Sequence, residues 1–232
     1  MTTENTDRFD MYTTIHKALR ALMTDTLLAV GRVDPTDGYQ VLEAGLKVRT
    51  LLDICRDHLH HENQILHPAM DARRPGSACV TSSQHVQHEE AFEKLEALVQ
   101  TLDRSAGAAR KTAVLNLYRA LALFVAENFE HMQTEEVENN AVLWSAYSDA
   151  ELIALHDEIL SAVRPERMTV YSRWILPNIN HAERLDVLNG LQHSMPEGAF
   201  AHTLGQVRDS ISERDWSKIR DLFEPASTFQ PA

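Results

Sequence analysis

From Tyr12 to Glu135 apolar residues recur at three- and four-residue intervals, the spacing that puts them on one face of an α-helix. A first helix reads from about Asp7 to Val30, with Tyr12, Leu19, Met23, Thr26 and Val30 on its stripe. Asp34-Pro-Thr-Asp-Gly38 ends it, because proline lacks the amide hydrogen a helix needs and glycine accepts a reversed backbone. A second helix fills roughly Tyr39 to Ala72, with Val48, Leu51, Cys55, Ile65 and Ala69 inward. After the break at Arg74-Pro-Gly-Ser77, the hydroxyls of Thr81-Ser-Ser83 can cap a third helix, about Ser83 to Asp103, whose inward residues are Phe92, Leu95, Val99 and Leu102. Ser105-Ala-Gly107 introduces a fourth from about Ala108, with Val114, Leu117, Leu121 and Phe124 inward.

Each stripe is interrupted by groups that do not belong in an apolar core. His16 breaks the first, His58 and Glu62 the second, His85 and His88 the third, and Asn128, His131 and Glu135 the fourth. Burying an imidazole and a carboxylate is costly unless each is paired or bound to a cation, so a metal centre is the first hypothesis. Residues equidistant from a turn lie opposite each other in an antiparallel hairpin, which tests it. The midpoint of His16 and His58 is Asp37, that of His58 and His85 falls beside Ala72, and that of His85 and His131 is Ala108, each at or beside a turn. All four levels coincide. His85 is slightly better centred than His88, and Glu89 could add an oxygen. The spacing H-x-x-x-E occurs at His58 and Glu62 and again at His131 and Glu135, so each pair projects from one helix face. Imidazole with carboxylate suits Fe, Mn or Zn.

Beyond Ser148 the pattern stays helical but carries no such groups. Ser148-Asp-Ala-Glu151 is a capping box for a helix to about Val163, and Arg164-Pro-Glu166 starts another that ends near Pro177. Further helices fit Ala182 to His193, Pro196 to Ser210 and Glu213 to Phe223, with a frayed tail from Glu224 to Ala232. The expected organisation is a bundle over residues 1–142 and a helical extension over 143–232. Trp144, Trp174 and Trp216 lie in or near the extension, which fits a second packed layer or a homodimer surface.

Composition narrows the class. Eight glycines and eight prolines in 232 residues, with no strand-like alternation, give an all-α protein, and 44% hydrophobic content suffices for a core. A net charge of −12 argues against nucleic acid or an anionic membrane as partner. The polar, acidic N-terminus and the lack of a spanning apolar run lead to the expectation of a soluble cytoplasmic protein. Two cysteines make no disulfide framework, and Cys55 reads as a reduced core thiol. His60 and His61 point off the stripe, His67 and His156 read as surface or interhelix groups, and His181, His193 and His202 receive no role. No phosphate loop, CxxC, G-x-S-x-G or H-E-x-x-H motif is present.

His16, His58-Leu-His-His-Glu62 with Ile65-Leu-His-Pro68, His85 or His88, and His131-Met-Gln-Thr-Glu135-Glu136 together resemble the hemerythrin-like (HHE cation-binding) proteins over residues 8–142. The resemblance implies an up-down-up-down four-helix bundle holding a non-haem centre of two iron ions with an oxygen bridge, Mn or Zn being substitutes. His16, His58, Glu62, His85 or His88, His131 and Glu135 would be its ligands, with both glutamates bridging. Oxygen-carrying members have H-x-x-x-H on helix three and H-x-x-x-x-D on helix four, whereas this chain has His85 with Glu89 and His131 with Glu135. Fewer imidazoles favour higher oxidation states, which shifts the expectation from reversible oxygen carriage to binding or reaction with O2, NO or peroxide. Turnover, if present, would be oxidoreductase chemistry on peroxide or O2. The alternatives are a non-enzymatic sensor of oxygen, NO or iron that reports through the extension, and a helical adaptor with a merely hydrogen-bonded polar core. Ferritin-like bundles need Glu-x-x-His pairs, and no Glu stands three residues before any His here.

Overall fold

A computed structural model describes residues 8–223; the start read at Asp7 and the tail from Glu224 lie outside them. Among the described residues every regular element is helical. The chain divides after Val163 into two compact units, and the helix opened by Ser148 lies in the first.

In the first unit α1 (Thr13–Gly31), α2 (Gly38–His61), α4 (Cys79–Asp103) and α5 (Gly107–Thr134) form the bundle. The packed pairs are α1 with α2, α2 with α4, α4 with α5 and α5 with α1, which closes a ring of four antiparallel neighbours. Val48, Leu51, Leu52, Phe92, Val99, Leu117 and Leu121 are fully buried between them. Each such side chain contributes about 1.5–3 kcal/mol through burial. Gly45 permits the close approach of α2 to α4, since a Cβ there would meet Val99 Cγ1 at 3.3 Å.

Helix α1 starts later than its apolar pattern suggests. Asp10 accepts hydrogen bonds from the Tyr12 and Thr13 amides at 2.9 Å each, an aspartate turn that offers the backbone an alternative to helix. The segment before it is held by Arg8 to Asp149 at 2.6 Å and by Trp144 Nε1, which donates to the Phe9 carbonyl at 2.8 Å. Helix α4 starts earlier than expected. Thr81 and Ser82 lie inside it rather than capping it, and Gly76, at φ +81°, makes the preceding turn in a conformation that favours glycine.

Helices α2 and α5 each run on through a five-residue π-helical turn, Glu62–Leu66 and Glu135–Asn139, into seven-residue helices, α3 (His67–Arg73) and α6 (Asn140–Ala146). A π turn inserts one residue into the helical period, so the stripe advances by one position beyond Glu62. The inward residues are Leu66 and Met70 instead of the expected Ile65 and Ala69. Leu66, Met70 and Leu143 form a second apolar cluster with Met11, Tyr12 and Leu152, the last from α7 (Asp149–Ala162), whose Ser148–Glu151 capping box is formed.

The second unit comprises α8 (Pro165–Asn178), α9 (His181–Ser194), α10 (Glu197–Ser210) and α11 (Glu213–Phe223). Its core holds Leu176, Leu188, Phe200, Leu204, Trp216 and Ile219. Arg184, 4% exposed, donates to the carbonyls of Leu176 and Ile179 at 2.7 Å each and so satisfies the end of α8. No described helix is long and apolar enough to cross a membrane.

Candidate metal centre

The interrupted stripes converge inside the first unit. Two four-residue sets form, His16, His58, Glu62 and Glu135, and Glu62, His85, His131 and Glu135; within each set one ligand atom from every residue lies within 4.8 Å of the others. Both glutamates belong to both sets. Glu62 Oε1 is 3.2 Å from His58 Nε2 and its Oε2 is 3.5 Å from His85 Nε2. Glu135 Oε2 is 3.2 Å from His131 Nε2 and 3.4 Å from His16 Nε2.

The outer nitrogens fix which way the rings face. His16 Nδ1 donates to Glu136 Oε1 at 3.0 Å, His85 Nδ1 to Asn63 Oδ1 at 2.8 Å and His131 Nδ1 to Gln84 Oε1 at 2.8 Å. With those protons outward, the Nε2 lone pairs of His85 and His131 confront each other at 3.1 Å. All four oxygens of Glu62 and Glu135 are buried without a hydrogen-bond partner. Lone pairs facing lone pairs beside two unpartnered carboxylates is an arrangement of net repulsion in a dry interior. Cations shared between the imidazoles and carboxylates reverse its sign, and the donor set is one that Fe, Mn or Zn accept. The residues therefore fit a pair of metal ions.

Titration follows the same physics. Burial pushes the Glu62 and Glu135 carboxyls well above the ordinary range, Glu62 further raised by the charge of Glu135 and Glu135 by that of Glu136. Burial pushes His85 down to about 4 and His131 down to about 2, with His16 and His58 lowered for the same first reason. These imidazoles are neutral at pH 7, the state in which they ligate. Burial also raises the buried Tyr12 hydroxyl, with the Glu135 and Glu62 charges adding to it. Tyr12 stands one turn before His16, ring centroids 5.5 Å apart.

His88 and Glu89 do not join either set. His88 is buried behind His131, ring centroids 4.8 Å apart, with Nδ1 3.2 Å from Asn128 Nδ2, and Glu89 is exposed. His60 is exposed, and His61 is half-buried outside the sets. Of the two readings given to it, surface or interhelix, His67 takes the second: it is buried and stacks on His85 at 4.8 Å, with Thr81 and Ser82 hydroxyls at its two nitrogens. The π turn brings it there. The outer partners Asn63, Gln84 and Glu136 received no role from the sequence, although each is the chain neighbour of a ligand-type residue.

A comparison with curated proteins found no match. The model of the hemerythrin HHE cation-binding domain matches residues 7–139, more than half of the chain and the span that supplies every member of both sets. On that match and this His/Glu centre, the chain belongs to the hemerythrin HHE cation-binding family and carries a metal-binding site of its kind.

Proposed function

We propose that the centre holds two iron ions and binds or reacts with a small oxidant, O2, NO or peroxide. The observation that supports this reading is the sharing of both glutamates between two histidine pairs: Glu62 turns one oxygen to His58 and the other to His85, and Glu135 Oε2 lies within 3.4 Å of both His131 and His16. Two imidazoles and two carboxylate oxygens per ion close a tetrahedral zinc site but leave positions free on an ion that takes five or six ligands. Iron ions bound there would supply single electrons to the oxidant.

The chain's own residues set the conditions. Asn63, Gln84 and Glu136 orient the rings from behind, and Tyr12 with the surrounding apolar side chains keeps bulk water out. His58 has 11% of its side chain exposed, against 0–3% for the other five ligand-type residues, so a small molecule would arrive past α2. Visible spectra of the iron-loaded protein under O2, azide and peroxide test the proposal. New charge-transfer bands with azide are expected, and bands that decay with consumption of peroxide would mark turnover. Iron-loaded protein whose spectrum none of the three alters would overturn the reading.

A further inference from the structure

The two ligand-bearing rods match element for element. In each, H-x-x-x-E leads into a five-residue π turn and then a seven-residue helix, His58 with Glu62 in one and His131 with Glu135 in the other. Each rod completes the set of the other through its glutamate. In each, the residue directly after the glutamate backs a histidine on a neighbouring helix: Asn63 holds His85 Nδ1 at 2.8 Å and Glu136 holds His16 Nδ1 at 3.0 Å. The centre is thus nearly two-fold symmetric, and at this matched pair of positions the symmetry breaks in charge. One acceptor is a neutral amide, the other a carboxylate.

Arg20 keeps Glu136 in place and ionised. Its Nη1 donates to Oε1 at 2.5 Å and its Nη2 to Oε2 at 3.2 Å. The guanidinium has 27% of its side chain exposed, so water screens its charge, whereas the His16 ring that Glu136 touches is fully buried. A carboxylate on the outer N–H pulls that proton and raises the basicity of the opposite nitrogen more than an amide does.

We propose that Glu136 is a positioning residue that makes the two metal positions unequal, so that the position bounded by His16 and His58 binds its ion more tightly and fills first. This rests on the two-ion reading above. The Gln84 amide behind His131 does not offset it, being neutral like Asn63.

Titration of metal-free protein with Zn²⁺ alone, which has no redox chemistry to confuse the reading, tests the proposal. Wild-type protein is expected to take two equivalents in two resolved steps. Glu136→Gln keeps the hydrogen-bond acceptor and removes the charge, and should weaken the tighter step about 10- to 100-fold, leaving the other unmoved. Asn63→Asp adds the charge on the opposite side and should strengthen the weaker step, a gain that a merely structural role would not produce. Glu136→Gln should still act in a His131→Ala background and have no effect in a His58→Ala background, which locates the effect. Equal weakening of both steps by Glu136→Gln, no weakening of either, or no gain from Asn63→Asp would overturn the inference. Wild-type protein that takes fewer than two equivalents would overturn the two-ion reading itself, a separable result.

Discussion

Glu62 Oε2 stands 3.5 Å from His85 Nε2, a residue of a different helix, while its other oxygen faces His58 on its own rod. On the two-ion reading this carboxylate would serve both metal positions, and without ions it is a buried, unpartnered group. Glu62→Gln should therefore change sign with metal. It should lower the melting temperature of the loaded protein and raise that of the metal-free protein. The gain at neutral pH and above is on the order of 1–3 kcal/mol, the cost of an unsatisfied buried polar group.

The pH dependence of that gain is fixed by the raised carboxyls. A group whose folded pKa lies above its unfolded value gives stability that is complete below the unfolded value and lost as pH rises through the folded one. Glu62 is such a group, raised first by burial. Metal-free wild-type protein should lose stability relative to Glu62→Gln as pH rises from about 4 towards the raised carboxyl value. Denaturant midpoints of the two proteins measured from pH 5 to pH 9 would show converging curves at the acid end; parallel curves would contradict the account.

Metal affinity should fall with acid because carboxyl protons must leave before an ion enters. The His85 and His131 imidazoles, held at about 4 and about 2, are already neutral at pH 6 and contribute nothing to the slope above it. Zn²⁺ should bind more tightly at pH 8 than at pH 6, and Glu62→Gln should reduce that difference. A slope unchanged in the variant would assign the protons to other groups.

The two thiols should behave oppositely. Burial pushes Cys55 up to about 12, whereas Cys79 is exposed. A thiol reagent at pH 8 should therefore modify one equivalent quickly in native protein and two in denaturant, since the thiolate is the reactive form. Two fast equivalents in native protein would show that Cys55 opens to solvent.

Arg184→Met should loosen the second unit without touching the metal. The variant loses two charged hydrogen bonds to the end of α8, worth together about 2–4 kcal/mol once the freed carbonyls gain some access to water. Urea unfolding followed at Trp174 and Trp216 should shift to lower concentration while metal content stays constant. A loss of metal would mean that the centre depends on residues outside the first unit.

The helices were legible because their stripes are long and regular; every inward position read for α4 and for α5 through Glu135 is buried. The level of the centre was legible too, since short turns fix which residues of neighbouring rods face each other. The π turns were not. Each inserts a residue where ligand geometry, rather than local propensity, sets the backbone, and so Leu66 and Met70 took the places read for Ile65 and Ala69. The roles of Glu136 and Arg20 were hidden for another reason: charged residues off the stripe look like ordinary surface until a neighbouring helix supplies the imidazole.

Metal content per chain of freshly purified protein, wild type beside Glu62→Ala, His131→Ala and His193→Ala, bears most directly on the centre. His193 is exposed and donates to the Asn189 carbonyl at 2.7 Å, outside both sets. The account predicts two equivalents of iron in wild type and in His193→Ala, with loss of iron in the other two variants. Wild-type protein that carries no iron as purified, or ligand variants that keep both ions, would contradict it.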